Sequence, residues 1–254
     1  MLETKRRRLV SIILPTYNER ENIGPLIRAL LKHAPSDVEI IVVDDDSPDG
    51  TWRAVKELKQ ELPNVRLLRR IGRRGLATAI EEGIRLARGD VLVWMDCDFS
   101  HPPELLPKLL AALEKGYDIA IASRFVRGGG QEYTLIRDLT SRAFNALARL
   151  LLGREVTDYT SGYIAIRREA YEEVPVKPIV ERLGYLHQYG EYFIYMLYRA
   201  LKKGLRVAEL PYVYVGRKKG STKTAPSLLA LLRVGLVYTL AMIIMRLKHA
   251  LRKL

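Results

Sequence analysis

Between Leu9 and Ala122 the chain alternates short, nearly continuous apolar runs with segments whose apolar residues recur every three to four positions. The runs Leu9–Leu14, Val38–Val43, Val65–Leu68, Val91–Met95 and Asp118–Ala122 have the length and branched side chains of strands buried on both faces. The segments between them read as helices. Glu21–His33 carries Ile23, Leu26, Ile27, Leu30 and Leu31 on one stripe, and Thr51–Leu62, Gly75–Ala87 and Pro103–Lys115 follow the same period. Asp49 is placed to cap the second helix, and Pro103 falls at an allowed early position of the fourth. Repeated strand–helix units of this size predict an α/β fold, a mostly parallel sheet flanked by helices on both faces.

The second half is less regular. Gly128-Gly129-Gly130 marks a loop, Ile136–Leu152 an amphipathic helix, Gly162–Ile166 a strand and Leu186–Leu201 a helix. Arg206–Val215 reads as a strand pair or as one strand bent around Pro211. No internal repeat or low-complexity linker divides the chain of 254 residues, which suits one large domain. The expected organisation is a catalytic domain over residues 1–220 and an apolar, basic helical tail over 221–254. In that tail Val234–Met245 is uncharged and shorter than the roughly 20 residues of a bilayer span. Its basic flanks, Arg233, Arg246, Lys248, Arg252 and Lys253, suit a helix lying on an anionic membrane surface. A helix packed on the domain or on a second copy would have the same apolar content.

Composition narrows the function classes. One cysteine, Cys97, excludes an intrachain disulfide framework and a cysteine-based zinc site, and it fits a reducing, cytosolic setting. The basic Met1–Arg8 is not followed by a signal-peptide core, so no secretory signal is expected. A formal charge of +13 fits nucleic acid, an anionic membrane or a polyphosphate substrate, or simply a basic solvated surface. No RNP, helix-turn-helix or zinc-finger pattern supports nucleic acid as the partner. His33, His101, His187 and His249 lack metal-ligand spacing. Tyr185, Tyr189, Tyr192, Tyr195 and Tyr198 recur near helical spacing, as core residues or as an interfacial belt.

The chemistry concentrates at strand ends, where open α/β sheets bind ligands. Asp96-Cys97-Asp98 follows Val91–Met95, and two carboxylates one residue apart suit a hard divalent cation that also holds phosphate oxygens. Asp44-Asp45-Asp46 follows Val38–Val43. Three adjacent carboxylates repel and need hydrogen bonds, solvent or a cation, and one of them could hold a ribose hydroxyl. After the first strand, in Pro15-Thr16-Tyr17-Asn18-Glu19, Tyr17 could stack on a nucleobase and Glu19 accept a base N–H. No Gly-x-Gly-x-x-Gly or Walker loop follows any strand, which argues against a dinucleotide dehydrogenase or a P-loop enzyme. The strand ends together suggest one site for a metal-bound, phosphorylated substrate.

These segments, with Phe99-Ser100-His101-Pro102, Ser123-Arg124-Phe125, Ser161-Gly162-Tyr163 and Arg217–Lys223, resemble the GT-A (Rossmann-like) fold of family 2 glycosyltransferases. Within that family the chain is most similar to dolichyl-phosphate mannose synthases and related polyprenyl-phosphate hexosyltransferases. The resemblance implies that Pro15, Tyr17, Glu19, Val43 and Asp45 line a nucleoside pocket, and that Asp96 and Cys97 lie against ribose and diphosphate. It implies that Asp98 ligates magnesium or manganese, with Asp96 and Ser100 assisting. Arg124, Arg137 and Ser141 would meet the acceptor phosphate, and Arg217 and Lys223 would close over the donor diphosphate. Cys97 stands where the family usually has Ala, Ser100 where some members have Gln, and Gly184–Glu191 follows the pattern only loosely.

The implied reaction is inverting, metal-dependent transfer of mannose from GDP-mannose to dolichyl or another polyprenyl phosphate, giving a β-linked product. Transfer of glucose from UDP-glucose is the nearest alternative. Processive relatives carry Gln-x-x-Arg-Trp and several membrane spans, and this chain has neither. A non-catalytic, membrane-associated homologue is the remaining alternative, against which the intact Asp96, Asp98, Arg217 and Lys223 argue. The enzyme would sit peripherally on the cytoplasmic face of a membrane, held by its tail or by a separate membrane-anchoring subunit. The bare chemistry agrees. A phosphate monoester, with a second pKa of about 6, is mostly dianionic near neutral pH and attacks without a protein base. Arg124 and Arg137 suit bidentate phosphate recognition.

Overall fold

A computed structural model describes residues 8–132, 134–176, 190–216 and 228–251. The elements in chain order are β1 (Val10–Thr16), α1 (Arg20–His33), β2 (Val38–Asp44), α2 (Thr51–Glu61), β3 (Val65–Arg69), α3 (Leu76–Leu86) and β4 (Val91–Trp94). A 3-10 turn (Pro103–Leu105) leads into α4 (Leu106–Glu114), followed by β5 (Ile119–Ser123), β6 (Gly130–Gln131), α5 (Leu135–Leu152), β7 (Ile164–Arg167) and α6 (Arg168–Glu173). The described part closes with α7 (Glu191–Lys202), β8 (Val207–Pro211), β9 (Val213–Tyr214) and α8 (Leu228–Leu251).

Seven strands form one sheet in the order β3-β2-β1-β4-β7-β5-β8. All its pairs are parallel except those of β7, which runs antiparallel to both β4 and β5. The chain steps outward from β1 to β2 and β3, then returns to place β4 on the other side of β1. At such a reversal the loops leaving neighbouring strands turn to opposite sides and open a crevice. The expected α/β architecture and its alternating elements are present. The expected helix at Pro103–Lys115 begins with the tight turn, because Pro103 and Pro107 lack donors for a regular first turn. Arg206–Val215 divides at Tyr212 into β8, in the main sheet, and β9, which pairs with β6 in a separate two-stranded ribbon. The expected helix Leu186–Leu201 corresponds to α7, and its first residues lie outside the described residues.

Strand residues alternate between two apolar layers. Ile12, Leu14, Val42 and Val93 pack with α1, α2 and α4, while Ile13, Val43, Trp94 and Ile121 pack with α3, α5, α7 and α8. Helix α3 lies very close to the sheet: a Cβ added at Gly83 would stand 2.5 Å from Ile13 Cγ2 and 3.0 Å from Val43 Cγ2. Both neighbours are fully buried in strands, so neither can yield cheaply. Gly83→Ala should therefore cost about 1–3 kcal/mol by overpacking. A lower urea midpoint at unchanged slope would show it, and an unchanged midpoint would mean that α3 sits further from the sheet.

Helix α8 places Tyr238, Ala241 and Met242 in the second of these layers, against α5 and α7, and Arg246 Nη1 donates to the Leu151 carbonyl at 2.5 Å. Its Leu236, Leu240, Ile243 and Leu247 remain exposed, as do Leu135, Ile136 and Leu139 of α5. The tail thus packs on the domain along one stripe and leaves a second apolar stripe bare. Among the described residues no helix is long and apolar enough to cross a membrane.

Candidate active site

Three loops leave the carboxyl ends of β1, β2 and β4, and each contains one non-glycine residue with positive φ: Asn18 at 54°, Asp46 at 54° and Phe99 at 64°. Asn and Asp tolerate this conformation, whereas an aromatic residue there is strained, a feature that clusters at functional sites. The strain at Phe99 turns the chain between Asp98 and Ser100, whose N–H donates to Asp98 Oδ1 at 3.0 Å.

The three aspartates after β2 separate by direction, which relieves their repulsion. Asp44 is fully buried and accepts from Thr16 Oγ1 at 2.9 Å and from the Ser47 N–H and Oγ at 2.9 and 2.6 Å. It ties the β1 and β2 loops together. Asp46 turns outward and pairs with Arg69, whose guanidinium lies 3.8 Å from the centre of the Trp52 ring. Asp45 faces a cavity. Its Oδ2 accepts from the Gly75 N–H at 2.8 Å, and the buried Arg70 Nη1 stands 3.1 Å from its Oδ1. That second contact is ionic only, because among the described residues Oδ1 has no hydrogen-bond partner. Burial pushes the Asp45 carboxyl above its ordinary value, further than the Gly75 N–H and Arg70 bring it down. Arg70 is itself held by the Gly75 carbonyl at 3.1 Å and Thr78 Oγ1 at 2.7 Å. The N-cap of α2 is Gly50 and not the expected Asp49, which stands one residue earlier and accepts from the Thr51 N–H and Oγ1 at 2.9 and 2.6 Å. Beside Asp45, Arg74 covers one face of the Tyr17 ring at 3.4 Å, and Glu19 is buried and accepts from Asn22 Nδ2 at 2.7 Å.

After β4, Asp96 is exposed to the cavity while Cys97 and Asp98 are largely buried in its wall. Cys97 Sγ donates to the Pro15 carbonyl at 3.4 Å, joining the β4 loop to the β1 loop. The fully buried Tyr192 lies near Asp96. Burial first, and then that negative charge, push its phenol above the ordinary value, so it stays neutral.

Arg124 follows β5 and is 7% exposed. Its Nε and Nη2 form a fork on the wholly buried Asp158 at 2.8 and 2.7 Å, and Nη2 also donates to Thr160 Oγ1 at 2.7 Å. Burial raises the Asp158 carboxyl, but the Arg124 charge and its hydrogen bonds outweigh this and hold it below the usual range. The guanidinium is thus oriented by a partner that also offsets its charge. Arg137 and Ser141 stand on α5, on the wall of the same cavity.

One cavity of about 810 Å³ joins these parts. Tyr17, Glu19, Asp45 and Arg74 line it from the β1 and β2 loops and the approach to α3, Asp96 and Asp98 from the β4 loop, and Arg124, Arg137 and Ser141 from the β5 loop and α5. Apolar side chains of α5 and α8, Phe144, Leu147, Val234, Leu236 and Tyr238, line it as well. Pro15 and Cys97 also line the cavity. Two expected site residues do not. Val43 is wholly buried beneath α3, and Ser100 is buried with its N–H turned to Asp98. Arg217 and Lys223 lie outside the described residues. Reasoning from sequence overlooked Arg70, Arg74 and Asp158. The basic run over 66–74 was the signal for the first two, while Asp158 has none beyond its charge.

The donor set suits a hard cation only in part. Among the described residues no group of three or more His, Cys, Asp or Glu could hold a metal. Asp96 and Asp98 nevertheless share the cavity wall, and two carboxylates completed by substrate phosphates and water are the usual set for magnesium. The residues fit a metal brought in with a diphosphate, not a permanent cage.

The mostly parallel sheet with its crevice at the β1/β4 reversal, lined by strand-end carboxylates, defines an α/β protein with a ligand-binding crevice at its strand ends. The family model for glycosyl transferase family 2 matches residues 11–175, and the chain belongs to that family. It is 40% identical over 220 residues to the dolichol-phosphate mannosyltransferase of Pyrococcus furiosus, a match covering 84% of this chain and 58% of that relative. The chain therefore spans little more than half the length of that relative. It is 41% identical over 221 residues to the polyprenol monophosphomannose synthase of Mycolicibacterium smegmatis, covering 85% of this chain and 81% of that one. Among solved structures, glucosyl-3-phosphoglycerate synthase from Mycobacterium tuberculosis, in complex with manganese, UDP and glucosyl-3-phosphoglycerate, has the same fold. The TM-score is 0.67 at 21% identity, over 94% of this chain and 80% of that one.

Proposed function

We propose that the protein transfers mannose from GDP-mannose to a polyprenyl phosphate such as dolichyl phosphate, with inversion, at the cytoplasmic face of a membrane. The observation that carries this reading is that one cavity is lined by strand-end carboxylates, an arginine pair and apolar side chains of α5 and α8. The names of the two mannosyl-transferring relatives support the sugar and the lipid phosphate.

Tyr17 stacks on the base, Glu19 accepts a base N–H, and Asp45 lines the same nucleoside pocket. Asp98 and Asp96 would hold magnesium or manganese, and the ion would supply positive charge against a nucleoside diphosphate leaving group. Arg124 and Arg137, with Ser141, gather the acceptor phosphate and turn one of its oxygens toward the anomeric carbon. That oxygen forms the new bond to carbon as the bond to the diphosphate breaks, so an α-linked donor gives a β-linked product. The dianionic phosphate needs no base, which fits an acceptor site lined by Arg and Ser. The apolar side chains of α5 and α8 take the first units of the lipid chain.

The bare leucines of α5 and α8 then rest on the bilayer, with Arg233 and Arg246 facing anionic headgroups. Leu139→Asp combined with Leu240→Asp should lower co-sedimentation with anionic vesicles by at least about tenfold, at ~0.8 kcal/mol per buried methylene. Unchanged sedimentation would place the anchor elsewhere. The acceptor assignment is tested by offering labelled GDP-mannose with a polyprenyl phosphate, the corresponding polyprenol, or 3-phosphoglycerate. Label should enter only the lipid phosphate. Equal transfer to phosphoglycerate would reject the lipid reading.

A further inference from the structure

His101 is 1% exposed and lies outside every role assigned above. Its Nδ1 accepts the main-chain N–H of Asp96 at 3.0 Å. With Nδ1 an acceptor, Nε2 carries the proton and donates to the Ser161 carbonyl at 2.9 Å. The ring is stacked on Tyr163 at 5.3 Å, with Tyr212 edge-on at 5.8 Å. Gly162 turns beside it with φ of 82°. One side chain therefore joins the loop of Asp96 and Asp98 to the loop of Thr160 and Ser161, where Thr160 binds Arg124. Both ring nitrogens are used, so the imidazole serves as a brace and not as a metal ligand.

We infer that His101 is a positioning residue that, through Nδ1, fixes the main chain of Asp96 and so aims the Asp96 and Asp98 carboxylates at a metal–diphosphate, while Nε2–H locks that loop to the acceptor site. The inference rests on the metal reading of the site. It separates the two ring nitrogens, which a role in packing alone would not do. Asparagine reproduces the Nδ1 position and glutamine the Nε2 position. His101→Asn should therefore keep most of the gain in GDP affinity that manganese gives, and His101→Gln should lose about 10- to 100-fold of that gain, the usual effect of removing an outer partner of a metal ligand. Both should bind GDP like the wild type in EDTA, which also shows that each is folded.

Titration of GDP with manganese and with EDTA reads this out. Equal metal-dependent gains in His101→Gln and the wild type would overturn the inference, as would equal losses in the two variants. A wild type whose GDP affinity ignores manganese would overturn the metal reading and the inference with it. In the unaltered protein, nitrogen NMR should show His101 Nδ1 unprotonated and Nε2 protonated, and the opposite tautomer would also overturn the assignment.

Discussion

Asp98→Asn should lower the proposed mannosyl transfer by about 10²- to 10³-fold, the loss typical when one preorganised group facing developing charge is removed. The substitution keeps the shape of the side chain, and its Oδ1 can still accept the Ser100 N–H that shapes the loop. What disappears is one negative charge in the cavity wall. The departing diphosphate needs its own charge neutralised, and an amide binds a divalent cation far more weakly than a carboxylate does. The variant should unfold at nearly the wild-type temperature, and EDTA should reduce its residual rate little further. Steady-state rates at saturating donor check both. Wild-type turnover in Asp98→Asn would remove Asp98 from the metal assignment.

The second large effect is on stability and comes from a residue that touches no substrate in this account. Asp158→Ala should destabilise the protein by about 3–5 kcal/mol, the usual cost of leaving one partner of a buried ion pair alone. Arg124 would then be a buried guanidinium without its carboxylate. The double variant Asp158→Ala, Arg124→Met should regain part of that loss, because neither charge remains, yet stay inactive. Denaturant unfolding of Asp158→Ala, Arg124→Met and the double variant measures the coupling, and additive losses would contradict it.

Acid sensitivity follows the same pair. The Asp158 carboxyl is held below its ordinary value of 3.8, so its contribution is complete above that value and is lost as pH falls through the lower folded one. Glu39 behaves alike. Burial raises its carboxyl, but the Arg88 N–H, Ser11 and Arg66 together hold it below 4.5. Wild-type stability should fall steeply below about pH 4, and Asp158→Ala should show a shallower fall.

The first half of the fold was legible because β1 to β5 are built on short, mostly apolar runs and α1 to α4 carry a helical apolar period, so local sequence and burial agree. The six residues of α6 and the two-residue strands β6 and β9 are too short for any period to register. The antiparallel placement of β7 is equally invisible, since Ile164–Arg167 would read the same in either direction.

At the site, strand-end carboxylates were legible because their chemistry is local: Asp45, Asp96 and Asp98 lie one to four residues beyond an apolar run. Partners brought together by folding were not. Asp158 meets Arg124 across 34 residues, and His101 meets Ser161 across 60. Val43 illustrates the opposite error. It follows the pattern of a pocket residue, yet inside β2 its side chain is covered by Gly83 of α3, while Asp45, two residues on along the same face and just past the strand end, reaches the cavity.

The most direct test is transfer of labelled sugar to a short polyprenyl phosphate, with GDP-mannose and UDP-glucose offered in parallel, each with manganese and with EDTA. Lipid-soluble label is expected from GDP-mannose alone, abolished by EDTA. Label from GDP-mannose that is indifferent to EDTA, or no lipid label from either donor, would contradict it.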